Sequence, residues 1–118
     1  MIMITTTTPI NKRIEFADIP GQVSHYRVLL PDESNRLVGY VLITHEGNEA
    51  IIWNIYVEPK YRKKGLASYL ISAIKSRFNY IITSYTSEHG KRLCIKNGFS
   101  YDEKTNFLEW NKNESASS

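Results

Sequence analysis

Four basic side chains, Lys60, Arg62, Lys63 and Lys64, crowd the residues just before Gly65. From Gly65 onward Leu66, Leu70, Ile74 and Phe78 recur at helical spacing with Ala67 and Ile71 beside them, the stripe of a helix buried on one face. A helix that begins here leaves its first N–H groups without intrahelical partners and adds the positive end of its dipole. Gly65 has no Cβ and lets a ligand approach the backbone. The expected occupant is a phosphate group, held by the loop amides from Arg62 through Lys63, Lys64, Gly65, Leu66 and Ala67 to Ser68, with lysine side chains left for further phosphate charge.

The element that must hold this loop is the apolar run Ile51 to Val57, a buried strand that ends at Pro59 because proline removes a ladder donor. Upstream, residues 13–18, Val23 to Leu30, Arg36 to Thr44 and Ala50 to Val57 read as four strands of an antiparallel meander, with turns at Pro20-Gly21, Pro31 to Asn35 and Glu46 to Glu49. The helix from Gly65 to about Phe78 leads to a fifth strand, Tyr80 to Thr86, and a helical crossover makes strands four and five parallel. Ser87 reads as the cap of a short helix that stops at Asn97-Gly98, and strands at Phe99 to Glu103 and Phe107 to Trp110 close the sheet. The fold class is α/β in the α+β sense: two main helices on a mixed, mostly antiparallel sheet of about six or seven strands.

The 118 residues suit one domain, taken as residues 1–110, followed by a polar, disordered tail at 111–118; residues 5–8 near the start are also expected to fray. A net charge of +3 is too small to signal nucleic acid, so the charge matters locally, at 60–64. The lone cysteine, Cys94, excludes an internal disulfide and suits a reducing compartment, and no Cys/His cluster suggests a metal. Neither a signal peptide nor a run of about 20 apolar residues is present, so the chain reads as cytoplasmic, with no membrane partner.

Spacing excludes two glycine-rich phosphate loops, the P-loop and the dinucleotide fingerprint. Arg62-Lys63-Lys64-Gly65-Leu66-Ala67 instead resembles the Arg/Gln-x-x-Gly-x-Gly/Ala signature of the GCN5-related N-acetyltransferase (GNAT) family, whose loop holds the pyrophosphate of acetyl-CoA. The resemblance extends through Leu37 to Leu42, Ile55 to Pro59 and Lys96-Asn97-Gly98-Phe99, covering about residues 36–110. It implies a single GNAT-like domain whose parallel strands four and five splay apart to admit the pantetheine arm. The family's helix pair between strands one and two is missing here, which implies an acceptor face that is open or completed by another chain, as in a homo-oligomer. An open face favours a protein amine as acceptor.

The same resemblance assigns roles along strand four. Val57 would pair with pantetheine through its backbone, and the N–H of Ile55 would face the acetyl oxygen as an oxyanion donor. The amine must lose a proton first, its ordinary pKa being ~10.4. Where the family often carries a carboxylate base, this chain has Ile51 and Trp53; Asn54 is the candidate for ordering a water, with His45 or Glu49 biasing the site from the turn. The family's tyrosine, which often protonates the leaving thiolate, is replaced by Cys94, which is either the acid, as a thiol of ordinary pKa ~8.5, or a small apolar filler of its helix, with Tyr85 and Tyr101 in reserve. Trp53 and Tyr56 are expected in the core, as most aromatics are. The activity implied is direct acetyl transfer from acetyl-CoA to a primary amine. Its rivals are a non-catalytic CoA-binding module, to be separated by turnover, and a small basic nucleic-acid-binding domain, to be separated by salt dependence.

Overall fold

The computed structural model describes residues 10–19, 22–84 and 87–113. Seven strands form one sheet in the order β1-β2-β3-β4-β5-β7-β6: β1 Arg13–Ala17, β2 Ser24–Leu30, β3 Arg36–Glu46, β4 Glu49–Val57, β5 Tyr80–Thr83, β6 Ser100–Asp102 and β7 Phe107–Asn111. Strands β1 to β4 are an antiparallel meander, β4 and β5 pair in parallel, and β7 inserts between β5 and β6. Between β4 and β5 runs α1, Leu66–Lys75; between β5 and β6 runs α2, Glu88–Lys96.

Both helices cover the same face. Leu66, Leu70, Ile71 and Ile74 of α1 and Cys94 of α2 join one core with Tyr26, Val28, Val41, Ile43, Ile52, Ile81 and Leu108 of the sheet. Each such aliphatic side chain contributes about 2 kcal/mol of burial, which is what holds an uncapped α1 in place. By contrast α2 is capped, the Ser87 Oγ accepting from the Gly90 N–H at 3.1 Å, and it ends where Gly98 turns left-handed at φ +90°. The two helices are tied together where Asn97 Nδ2 donates to Ser68 Oγ at 3.1 Å and Lys75 Nζ donates to the Asn97 carbonyl.

Several expected bounds change. Helix α1 stops at Lys75 rather than Phe78, because the N–H groups of Arg77 and Phe78 both return to the Ile74 carbonyl, at 3.0 and 3.1 Å, and close the last turn. Phe78 is still buried. Strand β5 stops at Thr83 rather than Thr86; residues 85 and 86 lie outside the described residues, as do the Pro20-Gly21 turn, residues 1–9 and positions 114–118 of the expected tail. Asn111, also placed in the tail, instead completes β7 opposite Tyr80, and the Lys112 N–H donates to the Asn79 carbonyl at 2.9 Å. Among the described residues no helix is long and apolar enough to cross a membrane.

Past the end of β1, Asp18 binds two groups of neighbouring strands: its carboxylate accepts from Ser24 Oγ at 2.9 Å and lies 2.8 Å from His45 Nε2. These hydrogen bonds, with His45 the larger influence and Ser24 the next, hold the Asp18 carboxyl below its ordinary pKa. A depressed folded pKa stabilises the fold above the ordinary value of ~3.9 and loses that contribution as pH falls through the lowered one. Asp18→Asn is therefore expected to flatten the acid limb of the melting temperature below about pH 4 relative to the parent. Superimposable acid limbs would refute this linkage.

Candidate active site

The site begins with a β-bulge. Ile43 of β3 faces Ile52, yet Leu42 faces Asn54, so Trp53 is an extra residue in β4. One inserted residue reverses the parity of everything after it. Ala50 and Ile52 point into the core before the bulge, and Ile55 and Val57 do so after it; Trp53 and Asn54, at the bulge itself, are both exposed. The expectation that Trp53 and Tyr56 fill the core is corrected here: they are 63% and 39% exposed.

The bulge also re-aims the backbone. Parallel pairing of β4 with β5 ends at Ile52–Thr83, and the Ile52 carbonyl is closed off by Thr83 Oγ1 at 2.9 Å, a buried bond that terminates the ladder. Beyond it Trp53–Val57 have no β5 partner among the described residues. On the other side, the Glu58 N–H donates to the Val38 carbonyl at 2.9 Å and the Tyr56 carbonyl abuts Gly39, so residues 56 and 58 aim their backbone groups at β3. Ile55 and Val57 therefore aim theirs into the gap, as a strand's alternation requires. Ile55 is half-buried and Val57 buried.

From Val57 the chain turns through a 3-10 segment, Pro59–Tyr61, whose Tyr61 is buried and donates its hydroxyl to Glu33 at 2.6 Å. That carboxylate raises the Tyr61 pKa, chiefly through the hydrogen bond it accepts. The loop that follows places Lys63 at φ +63° and Gly65 at φ +79°, two left-handed residues that turn the chain into the start of α1. No side chain caps α1, and its first backbone bond runs from the Tyr69 N–H to the Gly65 carbonyl at 2.9 Å. The N–H groups of Leu66, Ala67 and Ser68 are left for a ligand. A capping side chain would be worth about 1 kcal/mol, so this helix start is kept open at some cost in stability. A Cβ placed on Gly65 would meet no atom within 4 Å, so the loop is open on that side of the glycine.

Not every side chain named from the sequence faces this space. Arg62 donates its Nε to the Val57 carbonyl at 2.8 Å and lies 5.7 Å from the Tyr56 ring, which ties the loop to the last gap-facing carbonyl of β4. Lys63 and Lys64 are exposed, while the side chain of Leu66 is buried in the core, leaving it only its N–H to offer. Ser68 Oγ is taken by Asn97. Asn54 stands beside the gap on the face away from the helices. His45 is engaged by Asp18, and Glu49 lies five residues before Asn54, about 16 Å along an extended strand, so neither reaches the gap.

Cys94 is fully buried, and desolvation pushes its thiol up to about 12. A thiol that weak is a poor acid for a leaving thiolate of ordinary pKa ~8.5, so this environment favours packing over the proton transfer expected of it. Tyr101 donates its hydroxyl to Asn106 within the β6–β7 connection; Tyr85 lies outside the described residues. The residues that sequence reasoning missed are Thr83, which ends the parallel ladder, and Tyr61, which anchors the loop to Glu33. Neither has a local signal, because both partners are distant in sequence.

The acetyltransferase (GNAT) domain family matches residues 24–101, and the chain belongs to that family. No curated protein matches it in sequence. Among solved structures, a GNAT family acetyltransferase from Elizabethkingia anophelis with acetyl-CoA bound aligns with TM-score 0.66 at 16% identity, covering 86% of this chain and 98% of that one. Arabidopsis thaliana NAA60 in complex with a bisubstrate analogue aligns with TM-score 0.62 at 15% identity, over 78% and 76% of the two chains. The PaiA N-acetyltransferase from Thermoplasma acidophilum in complex with coenzyme A aligns with TM-score 0.62 at 16% identity, over 75% and 60%.

Proposed function

We propose that this protein is an acetyl-CoA-dependent N-acetyltransferase that passes the acetyl group directly to a primary amine. The observation that carries the reading is the juxtaposition of an open helix start with a strand whose Ile55 backbone groups and Val57 N–H face a gap without a partner among the described residues. The amides of Lys63 to Ser68 suit a pyrophosphate, and the Val57 N–H, its carbonyl being engaged by Arg62 Nε, suits a carbonyl of the pantetheine arm. The acetyl-CoA and CoA bound in two of the similar structures support this choice of donor.

Ile55 N–H then lies where negative charge grows as the amine attacks the thioester carbonyl. The C–N bond forms, the C–S bond breaks with its electron pair going to sulfur, and the amine proton leaves to solvent. The gap-lining residues Trp53–Val57 and Thr83 include no carboxylate, so a water held by Asn54 is the simplest carrier of that proton. Arg62 is a positioning residue that fixes the distance between loop and strand.

The direct test combines binding with turnover. Acetyl-CoA at about 100 times its dissociation constant should add ~2.7 kcal/mol, on the order of ten degrees in melting temperature. Free adenine should do far less. An unmoved melting curve would remove the donor; a shift without acetylation of any amine would point to a non-catalytic CoA-binding module.

Cys94→Ser should keep parental kcat below its melting temperature if the buried thiol only packs. Cys94→Ala should cost about 1 kcal/mol through a small cavity. Loss of turnover by two orders of magnitude in the folded serine variant would restore Cys94 as the acid.

A further inference from the structure

The face of the sheet opposite the helices carries Tyr40, Leu42, Thr44, Ile51, Tyr56 and the bulge residue Trp53, and no described element covers it. Resting on the acetyltransferase reading above, we propose that Trp53 is the specificity-determining residue of the acceptor side. It selects primary amines that carry an apolar group next to the amino carbon.

Three observations meet at this residue. The bulge sets Trp53 at the mouth of the gap, two residues before Ile55, about 7 Å along the strand from the amide facing the reaction. Its indole is held in place although it is 63% exposed: Nε1 donates to Thr44 Oγ1 at 2.8 Å, which fixes one edge and leaves the ring face open. An oriented aromatic that buries little of its surface contributes little to the core and is available to a ligand. Lastly, the charges nearby are wrong for a polycation. Arg62 sits by Tyr56 at one end of the strand, Glu49 is four residues before Trp53, about 13 Å away, and Glu109 stands on the same face two strands over, about 10 Å from Ile51. A second positive charge close to the reacting nitrogen meets no carboxylate beside Trp53 among the described residues, whereas an alkyl or aryl group meets the indole, Ile51 and Tyr56.

The shared chemistry has two sources, a small arylalkylamine or the α-amine of a peptide with an apolar first residue. Steady-state acetylation of phenethylamine, ethylamine, Phe-Gly-Gly, Gly-Gly-Gly and spermidine compares them. In the parent, phenethylamine should exceed ethylamine, or Phe-Gly-Gly exceed Gly-Gly-Gly, by roughly ten- to a hundred-fold in kcat/KM, and the pair showing the larger ratio names the source. Trp53→Ala should erase that ratio through KM rather than kcat, and Trp53→Phe should restore most of it. Spermidine as the best acceptor, no apolar preference in the parent, or equal losses for every acceptor in Trp53→Ala would overturn the proposal.

A binding readout separates its failure from that of the parent reading. Trp53 is exposed while Trp110 is buried, so the long-wavelength part of the emission reports Trp53. Phenethylamine should shift that component saturably in the presence of CoA, and spermidine should not. If no amine is acetylated, the transferase assignment fails, yet the titration still decides: a saturable shift supports the Trp53 site, and an unchanged spectrum rejects it.

Discussion

Gly65→Glu is expected to remain folded, melting some degrees below the parent, and to show no melting shift with acetyl-CoA. A Cβ at this position meets no atom within 4 Å, so the branch point of the new side chain is free of clash. The backbone at φ +79° costs an ordinary residue about 1–2 kcal/mol, which accounts for the lowered melting temperature. The binding loss has a different origin. A carboxylate above amides that would otherwise receive a pyrophosphate sets like charges against each other at the site where the helix dipole most favours an anion. Gly65→Asn separates the two effects, since asparagine tolerates left-handed backbone and carries no charge. It should retain a measurable part of the acetyl-CoA shift. A folded Gly65→Glu protein whose melting curve moves with acetyl-CoA as far as the parent's would rule out this loop as the phosphate site.

The second large effect is expected from Ile55→Pro. The Ile55 N–H points into the gap rather than to β3, so proline there removes no ladder bond and the fold should tolerate it. Asn54, the residue before it, already lies in extended β4, as a residue preceding proline prefers. What disappears is one donor aimed at the growing oxyanion. Such a donor is typically worth about 3 kcal/mol, so kcat should fall by roughly 10²- to 10³-fold while the acetyl-CoA melting shift stays near parental. Ile55→Val, which keeps the N–H, should retain turnover. Parental kcat in a folded proline variant would sink the oxyanion role of this amide.

What the sequence determined by itself was local. Pro59, the basic run and Gly65, followed by apolar residues at helical spacing, specify strand, anion loop and helix within twenty residues, because each signal acts on its own backbone. Ser87 and Gly98 likewise bound α2 without help from elsewhere. The parallel pairing of β4 with β5 followed from the helix between them, a constraint on connection rather than on contact.

The tertiary structure decided whatever depends on partners far along the chain. Trp53 looks like a core aromatic until β3 supplies the register against which it is one residue too many; the bulge then turns it outward and swings Ile55 and Val57 toward the gap. The gap itself ends where Thr83 meets Ile52, 31 residues apart, and the loop is pinned where Tyr61 meets Glu33, 28 residues apart. The environment of Cys94 is of the same kind. Its residue type permits either an acid or a filler, and only the packing of α2 onto the sheet removes water from the thiol and makes it a weak acid. The one-sided placement of both helices, which leaves Trp53 on a bare face, is a property of how the whole chain buries its apolar surface. No single segment encodes it, because burying each helix's apolar stripe requires a sheet face that other segments build.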